Sequence, residues 1–229
     1  MLANKVSDSS NFKRKLGGTG NELSKLEWDL KTYLALNGAL HDAAISAWEI
    51  KRDTITARPI SLVRYLAITN NLPEIPGLIE RRNGKFQIHN WYPGIPSDSS
   101  IRWADADIWV PYQLATFVTP AFPGFVSGHS TFSRAASEVM TDLTGSAFFP
   151  GGLLEVVVPA GSLKINSSQN AQVRLQYATY YDAADQAGQS RIWGGIHIEP
   201  DDLIGRKLGH QIGLDAVALA RKYFAGTAR

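Results

Sequence analysis

The chain contains no cysteine among its 229 residues. Disulfides and thiolate metal sites are therefore excluded, and no redox compartment can be read from it. It also lacks any run of about 18 apolar residues, so no membrane-spanning helix is predicted. The opening stretch, MLANKVSDSSNFKRKLGG, has no apolar core. No signal peptide is expected there, and the chain is expected to be soluble, with its compartment left open. A large charge excess is missing too. The formal net charge is +2, which argues against nucleic acid as a partner. What remains, 44% hydrophobic and 19% charged residues, suits a globular protein with a sizeable core. The length fits one large domain or two small ones.

Residues 1–20 are polar and carry Gly17, Gly18 and Gly20. They are read as a flexible N-terminal arm, leaving 21–229 as a helical-bundle domain. Over residues 22–50, Leu26, Leu30, Leu34, Leu40, Ala44 and Ala47 recur at near-helical spacing. Pro59 is expected to open a second helix that runs to about Thr69. Residues 70–112, with Pro73, Pro76, Gly77, Gly84, Pro93, Gly94 and Pro96, predict a long irregular loop that serves as a lid or rim. Trp91, Tyr92 and Trp103 would give it an apolar inner surface. A helix should begin near Ser127 or Gly128 and end near Leu143. Residues 154–159 and 161–165 predict one short β-hairpin. Residues 167–188 predict a helix, and another should follow Pro200 and end near Phe224. The predicted fold is mainly α, a helical bundle with a long irregular loop and one short hairpin.

Three blocks carry groups suited to holding an oxyanion: 51–59 (KRDTITARP), 122–131 (FPGFVSGHST) and 190–201 (SRIWGGIHIEPD). In the first, Lys51 and Arg58 are two cations that straddle a helix corner, because the residue before Pro59 avoids helical torsions. In the second, Ser127, Gly128 and His129 sit at a helix start, where free backbone amides attract anions. Gly128 permits close approach, the Ser127 hydroxyl can donate, and His129 suits general acid or base work. In the third, Arg191 offers a bidentate fork. His197 precedes Asp201 by four residues, so Asp201 can hold one ring nitrogen and leave the other as nucleophile or metal ligand. His41 is read as packing, His89 as rim or surface, and His210 as structural.

Taken together, the blocks resemble a pattern shared by vanadium-dependent haloperoxidases and type 2 phosphatidic-acid phosphatases, including the soluble class A bacterial acid phosphatases. That pattern is K-x6-RP, P-S-G-H and S-R-x5-H-x3-D. Here it reads Lys51, Arg58 and Pro59; then Ser127, Gly128 and His129; then Ser190, Arg191, His197 and Asp201. Val126 stands where the second motif carries proline. The resemblance runs from about Leu36 to Ala218.

The resemblance implies a bundle of the acid phosphatase/vanadium haloperoxidase type. It implies that Lys51, Arg58, Ser127, Gly128 and Arg191 bind oxyanion oxygens. His197 would ligate vanadium, Asp201 would orient His197, and His129 would be the acid–base group. The implied cofactor is vanadate, with phosphate as an alternative occupant. Trp48 and Phe122 resemble aromatics that line the halide pocket of the chloroperoxidases, which favours peroxide-dependent halide oxidation. The alternatives are an acid-phosphatase-like phosphomonoesterase with a phosphohistidine intermediate, and an inactive oxyanion-binding domain. The implied partners are small molecules: peroxide and halide, or a phosphate ester. The haloperoxidases resembled are longer and often contain two bundles, so this chain corresponds to their C-terminal, ligand-bearing part. A homodimer in which a second copy completes the assembly is one expectation that follows.

Overall fold

The computed structural model describes residues 2–91, 101–113, 116–162 and 171–228. Six α-helices are present among them: α1 (Leu2–Ser7), α2 (Lys25–Thr54), α3 (Pro59–Ile68), α4 (Gly128–Thr144), α5 (Tyr180–Trp193) and α6 (Glu199–Phe224). Five strands accompany them: β1 (Ile79–Arg82), β2 (Lys85–Trp91), β3 (Ile101–Asp105), β4 (Leu154–Val158) and β5 (Val173–Tyr177). The molecule is thus mainly α. Helix α4 lies at its centre and packs against α2, α5 and α6.

Helix α2 shows how the pattern delivers a functional group. Ser24 caps it by accepting a hydrogen bond from the Glu27 N–H. Its buried side is Trp28, Thr32, Ala35, Leu36, Ala39, Ala43, Ala47 and Lys51, which recur at three- and four-residue intervals. Small alanines let α2 approach α4 and α6 closely around Val139, Leu143 and Val217. The last position on this stripe is a lysine, so the periodicity that builds the core also draws an ammonium inward. Arg58 then takes extended torsions (φ −77°, ψ 155°) before Pro59, which starts α3 as its first helical residue.

Helices α4 and α6 touch along Gly205, Gly209 and Gly213, which recur every four residues on α6. A Cβ at Gly209 would lie 2.3 Å from the Thr131 carbonyl oxygen, and one at Gly213 would lie 2.6 Å from Glu138 Cβ. Only hydrogen fits between these backbones.

Three expectations are corrected. Residues 2–18 are not a loose arm: α1 buries Val6 to 1% exposure, and Phe12 packs edge-on against Trp28 with ring centroids 4.9 Å apart. The polar composition masked the spacing of Leu2, Val6 and Phe12. Residues 70–112 are not wholly irregular. Strands β1, β2 and β3 form an antiparallel sheet in that order, with Ile79 opposite Ile88 and Gln87 opposite Asp105. Asn83 and Gly84, both at positive φ, make the β1–β2 turn, so the Asn-Gly pair was the overlooked signal. Finally, residues 173–177 form strand β5, which pairs with β4, Leu154 opposite Tyr177, where a helix was expected. Val173, Leu175 and Tyr177 follow the two-residue period of a strand, and α5 starts only at Tyr180, where Thr179 and Asp182 form a capping box. Tyr92 and residues 163–165 lie outside the described residues. Among the described residues, no helix is long and apolar enough to cross a membrane.

Candidate active site

All three sequence blocks meet at one end of the bundle. Lys51 is 2% exposed at the end of α2, and its Nζ donates to the carbonyls of Pro123 (2.9 Å) and Gly124 (2.8 Å). Arg58 is 5% exposed. Its Nε donates to the Phe122 carbonyl at 2.9 Å and its Nη1 to the Ile196 carbonyl at 2.9 Å. The same Nη1 lies 2.9 Å from His197 Nε2. On the far side of that ring, Nδ1 lies 2.8 Å from Asp201 Oδ2. This fixes the tautomer: Nδ1–H donates to the carboxylate, and Nε2 carries the lone pair that faces Arg58.

The loop ahead of α4 is held from several sides. Besides the Lys51 and Arg58 bonds, Gly124 N–H donates to the Thr56 carbonyl (3.1 Å), and Phe125 N–H donates to the Thr56 hydroxyl (2.7 Å). Ser127 N–H donates to the Asp201 carbonyl (2.9 Å). Gly124 is needed here, since a Cβ would lie 3.1 Å from Asp201 Oδ2. Val126, in the place of the motif's proline, is fully buried. The segment is thus positioned by hydrogen bonds and packing.

The field of the site is positive. Burial lowers the Lys51 pKa to about 8; the Arg58 charge adds to this and Asp201 opposes it. Burial also lowers the Arg58 pKa, with Arg191 adding to the effect and Asp201 opposing it. Arg191, at the end of α5, is lowered by burial alone. Its Nε is buried with no hydrogen-bond partner. Lys51 and Arg58 thus share the field of one carboxylate, and Arg191 adds its charge beside Arg58. His129 stands in the first turn of α4, open to solvent on one side. Its pKa is lowered to about 4, by desolvation of its inner side first, then by the charges of Arg191, His197 and Arg58. The ring is neutral at pH 7. His197 is also lowered, by burial first, against the opposing pull of Asp201.

Two aromatic rings border the cations. Trp48 and Phe122, 44% and 40% exposed, lie with centroids 5.3 Å apart. Lys51 Nζ lies 5.8 Å from the Trp48 ring centroid and 5.5 Å from that of Phe122, and the Arg58 guanidinium carbon lies 5.1 Å from Phe122. Gly128 leaves room for Trp48 and Phe132, each 3.4 Å from where its Cβ would stand.

Every predicted site residue therefore falls in this cluster. Arg58, His197 and Asp201 are linked by direct hydrogen bonds, Lys51 holds the loop carbonyls next to the one that Arg58 holds, and Ser127 joins through its backbone. Arg191 and His129 lie within electrostatic reach. Three partners were missed from the sequence. Ser130 Oγ lies 2.8 Å from Ser127 Oγ and 2.5 Å from Asp202 Oδ1, and Asp202 is held by Arg206. Of the other histidines, His210 pairs with buried Glu138 at 2.8 Å, and His89 stacks on Trp103. His41 is exposed beside Asp42 rather than packed, a correction that follows from its place on the outer face of α2.

The family model of the VCPO second helical-bundle domain matches residues 31–226. Among solved structures, the apo-type bacterial vanadium-dependent chloroperoxidase superposes with a TM-score of 0.69 and 21% identity, over 91% of this chain and 40% of that one. The holo-type bacterial enzyme gives 0.65 and 20%, over 86% and 36%. The first bacterial vanadium-dependent iodoperoxidase gives 0.52 and 24%, over 82% and 32%. At these identities the likeness is one of fold, and this chain spans 40% or less of each structure's length. No curated protein sequence matches. With residues 31–226 covered by the family model, the chain belongs to the vanadium-dependent haloperoxidase-like superfamily.

Proposed function

We propose that this bundle holds a tetra-oxo anion against His197 and, loaded with vanadate, oxidises halide with peroxide. One observation carries the reading: the buried cations Lys51 and Arg58, with half-buried Arg191 beside them, gather near one imidazole, His197, whose Nδ1 is held by the single carboxylate of Asp201 and whose Nε2 lone pair faces Arg58. Burying that much positive charge is costly unless an anion offsets it. The donor set fits such an anion. Arg191 Nε is buried without a partner, and Lys51 has a third ammonium hydrogen beyond its two carbonyl bonds. Among the described residues, no three His, Asp or Glu side chains gather as a multidentate metal site. A single imidazole ligand with a cationic surround suits an oxyanion instead.

His197 would hold the vanadium through Nε2, and Lys51, Arg58, Arg191 and the first amides of α4 would hold the oxygens. Bound vanadate would supply the Lewis acidity that makes peroxide an oxidant toward halide. Asp201 keeps the proton of His197 on Nδ1, so Nε2 keeps its lone pair, which Arg58 contacts at 2.9 Å and would yield to a bound anion. His129, neutral at pH 7, can take a proton from an incoming peroxide and return it to a leaving oxygen. Trp48 and Phe122 line the open side with polarisable rings, which supports halide as the second substrate. The solved structures of similar fold are haloperoxidases, which favours the same choice.

The test compares bromination of a phenolic dye by vanadate-loaded protein, with peroxide and bromide, against hydrolysis of an aryl phosphate in vanadate-free buffer. Bromination that disappears in His197→Ala is the expected result. Ester hydrolysis without bromination would make the protein a phosphatase. Neither activity, with phosphate still bound, would make it an inert anion binder.

A further inference from the structure

The side-chain network beneath Ser127 decides which way a hydrogen points. Ser130 Oγ touches both Ser127 Oγ (2.8 Å) and Asp202 Oδ1 (2.5 Å), yet a serine has one hydroxyl hydrogen. Asp202 is gripped by Arg206 in a two-pronged pair, Nε to Oδ1 at 3.1 Å and Nη2 to Oδ2 at 2.7 Å. A guanidinium can only donate, so both carboxylate oxygens act as acceptors here. Ser130 must then donate to Asp202. The remaining contact is satisfied in one way: Ser127 donates its hydrogen to Ser130. Ser127 Oγ also accepts from the Ser130 N–H at 3.3 Å, as cap of α4. One lone pair is left.

The packing is built around this relay. Ser127, Ser130 and Asp202 are 0%, 1% and 3% exposed. A Cβ at Gly188 would lie 2.3 Å from Asp202 Oδ1 and 2.9 Å from Ser130 Oγ, so α5 carries glycine where the relay passes. Arg206 continues it outward to Asp185, 2.8 Å away.

We propose that the Ser130–Asp202–Arg206 relay makes Ser127 a hydrogen-bond acceptor toward the bound anion, so that the site selects an oxyanion that carries a proton. This rests on the anion site proposed above and reverses the donor role expected of Ser127. Ser130 and Asp202 are positioning residues, acting through Ser127. Hydrogen phosphate and sulfate form a matched pair: both are tetrahedral dianions near pH 7.5, and they differ by one hydrogen. With an acceptor at Ser127, hydrogen phosphate makes a bond that sulfate cannot, and sulfate meets a lone pair.

The experiment is calorimetric titration of phosphate and of sulfate, at pH 7.5 and fixed ionic strength, into wild type and Ser130→Ala. Wild type is expected to prefer phosphate on the order of tenfold, one hydrogen bond to a charged group. In Ser130→Ala the Ser127 hydrogen is freed to turn toward the ligand, so the preference should shrink severalfold, mainly through tighter sulfate binding. A purely structural role for Ser130 would weaken both anions alike and leave the ratio within twofold of wild type, which overturns the proposal. Asp202→Asn, a near-isosteric change that weakens the acceptor, should move the ratio the same way by less; an unchanged ratio there also counts against the relay. Failure of wild type to bind either anion would overturn the site itself, an outcome distinct from binding without selectivity.

Discussion

At the scale of single residues, the cations divide by what else they hold. Lys51 is bonded to two carbonyls of the loop ahead of α4, whereas Arg191 Nε has no protein partner. Arg191→Ala should therefore weaken phosphate binding on the order of tenfold or more while leaving the melting temperature nearly unchanged. Lys51→Ala should weaken binding and also cost about 1–3 kcal/mol of stability, by leaving two carbonyls without their donor. Paired titration and thermal melts separate the two. Lys51 also sets a pH limit. Its pKa in the free protein is lowered to about 8, and a bound anion would raise it. Anion affinity should be full below pH 8 and fall as pH rises above it, and Lys51→Arg should push that fall to higher pH. His129 works in the opposite window. Its folded pKa of about 4 lies below the ordinary histidine value near 6.5. The unfolded chain thus takes up a proton first, and the anion-free protein should lose stability as pH falls from about 6.5 to 4. His129→Gln should lessen that loss in melts recorded across the range. At this scale the sequence was most legible. His197, Asp201, Lys51 and Arg58 were named from the order and spacing of three blocks taken together, and the structure brings those four residues to one place. Ser130 and Asp202 were not legible as a pair, because their contact joins α4 to α6 across 72 residues.

At the scale of elements, the amphipathic stripe of α2 and the proline start of α3 were readable because local periodicity and torsion preference fix them. The first sheet was not, since its prolines and glycines outweighed a single Asn-Gly turn signal. The pairing of β4 with β5 was missed for another reason: the alternation of Val173, Leu175 and Tyr177 was read as part of a helix over 167–188. The glycine row on α6 went unread as well, because glycine at four-residue spacing means something only once a neighbouring backbone is known to lie against it. Gly209→Ala should show its purpose. Helix propensity alone would favour alanine by about 1 kcal/mol. The contact with the Thr131 carbonyl instead demands that α4 and α6 separate. A net destabilisation of about 1–3 kcal/mol, read from the urea midpoint, is expected. Because α4 carries Ser127 at its cap and α6 carries Asp201 in its first turn, phosphate affinity should fall in the same variant.

At the scale of the molecule, one bundle gathers groups from α2, the corner before α3, the start of α4, the end of α5 and the start of α6 around a single imidazole. The matched domain accounts for 40% or less of the length of the solved structures it resembles, yet every predicted site residue comes from this one bundle. The proposed anion site would therefore be assembled within it. The most direct measurement is equilibrium titration of vanadate into the protein and into His197→Ala. One site per chain, lost or weakened at least a hundredfold in the variant, is the predicted outcome. Absence of binding to the wild type, or equal binding to both proteins, would contradict the account.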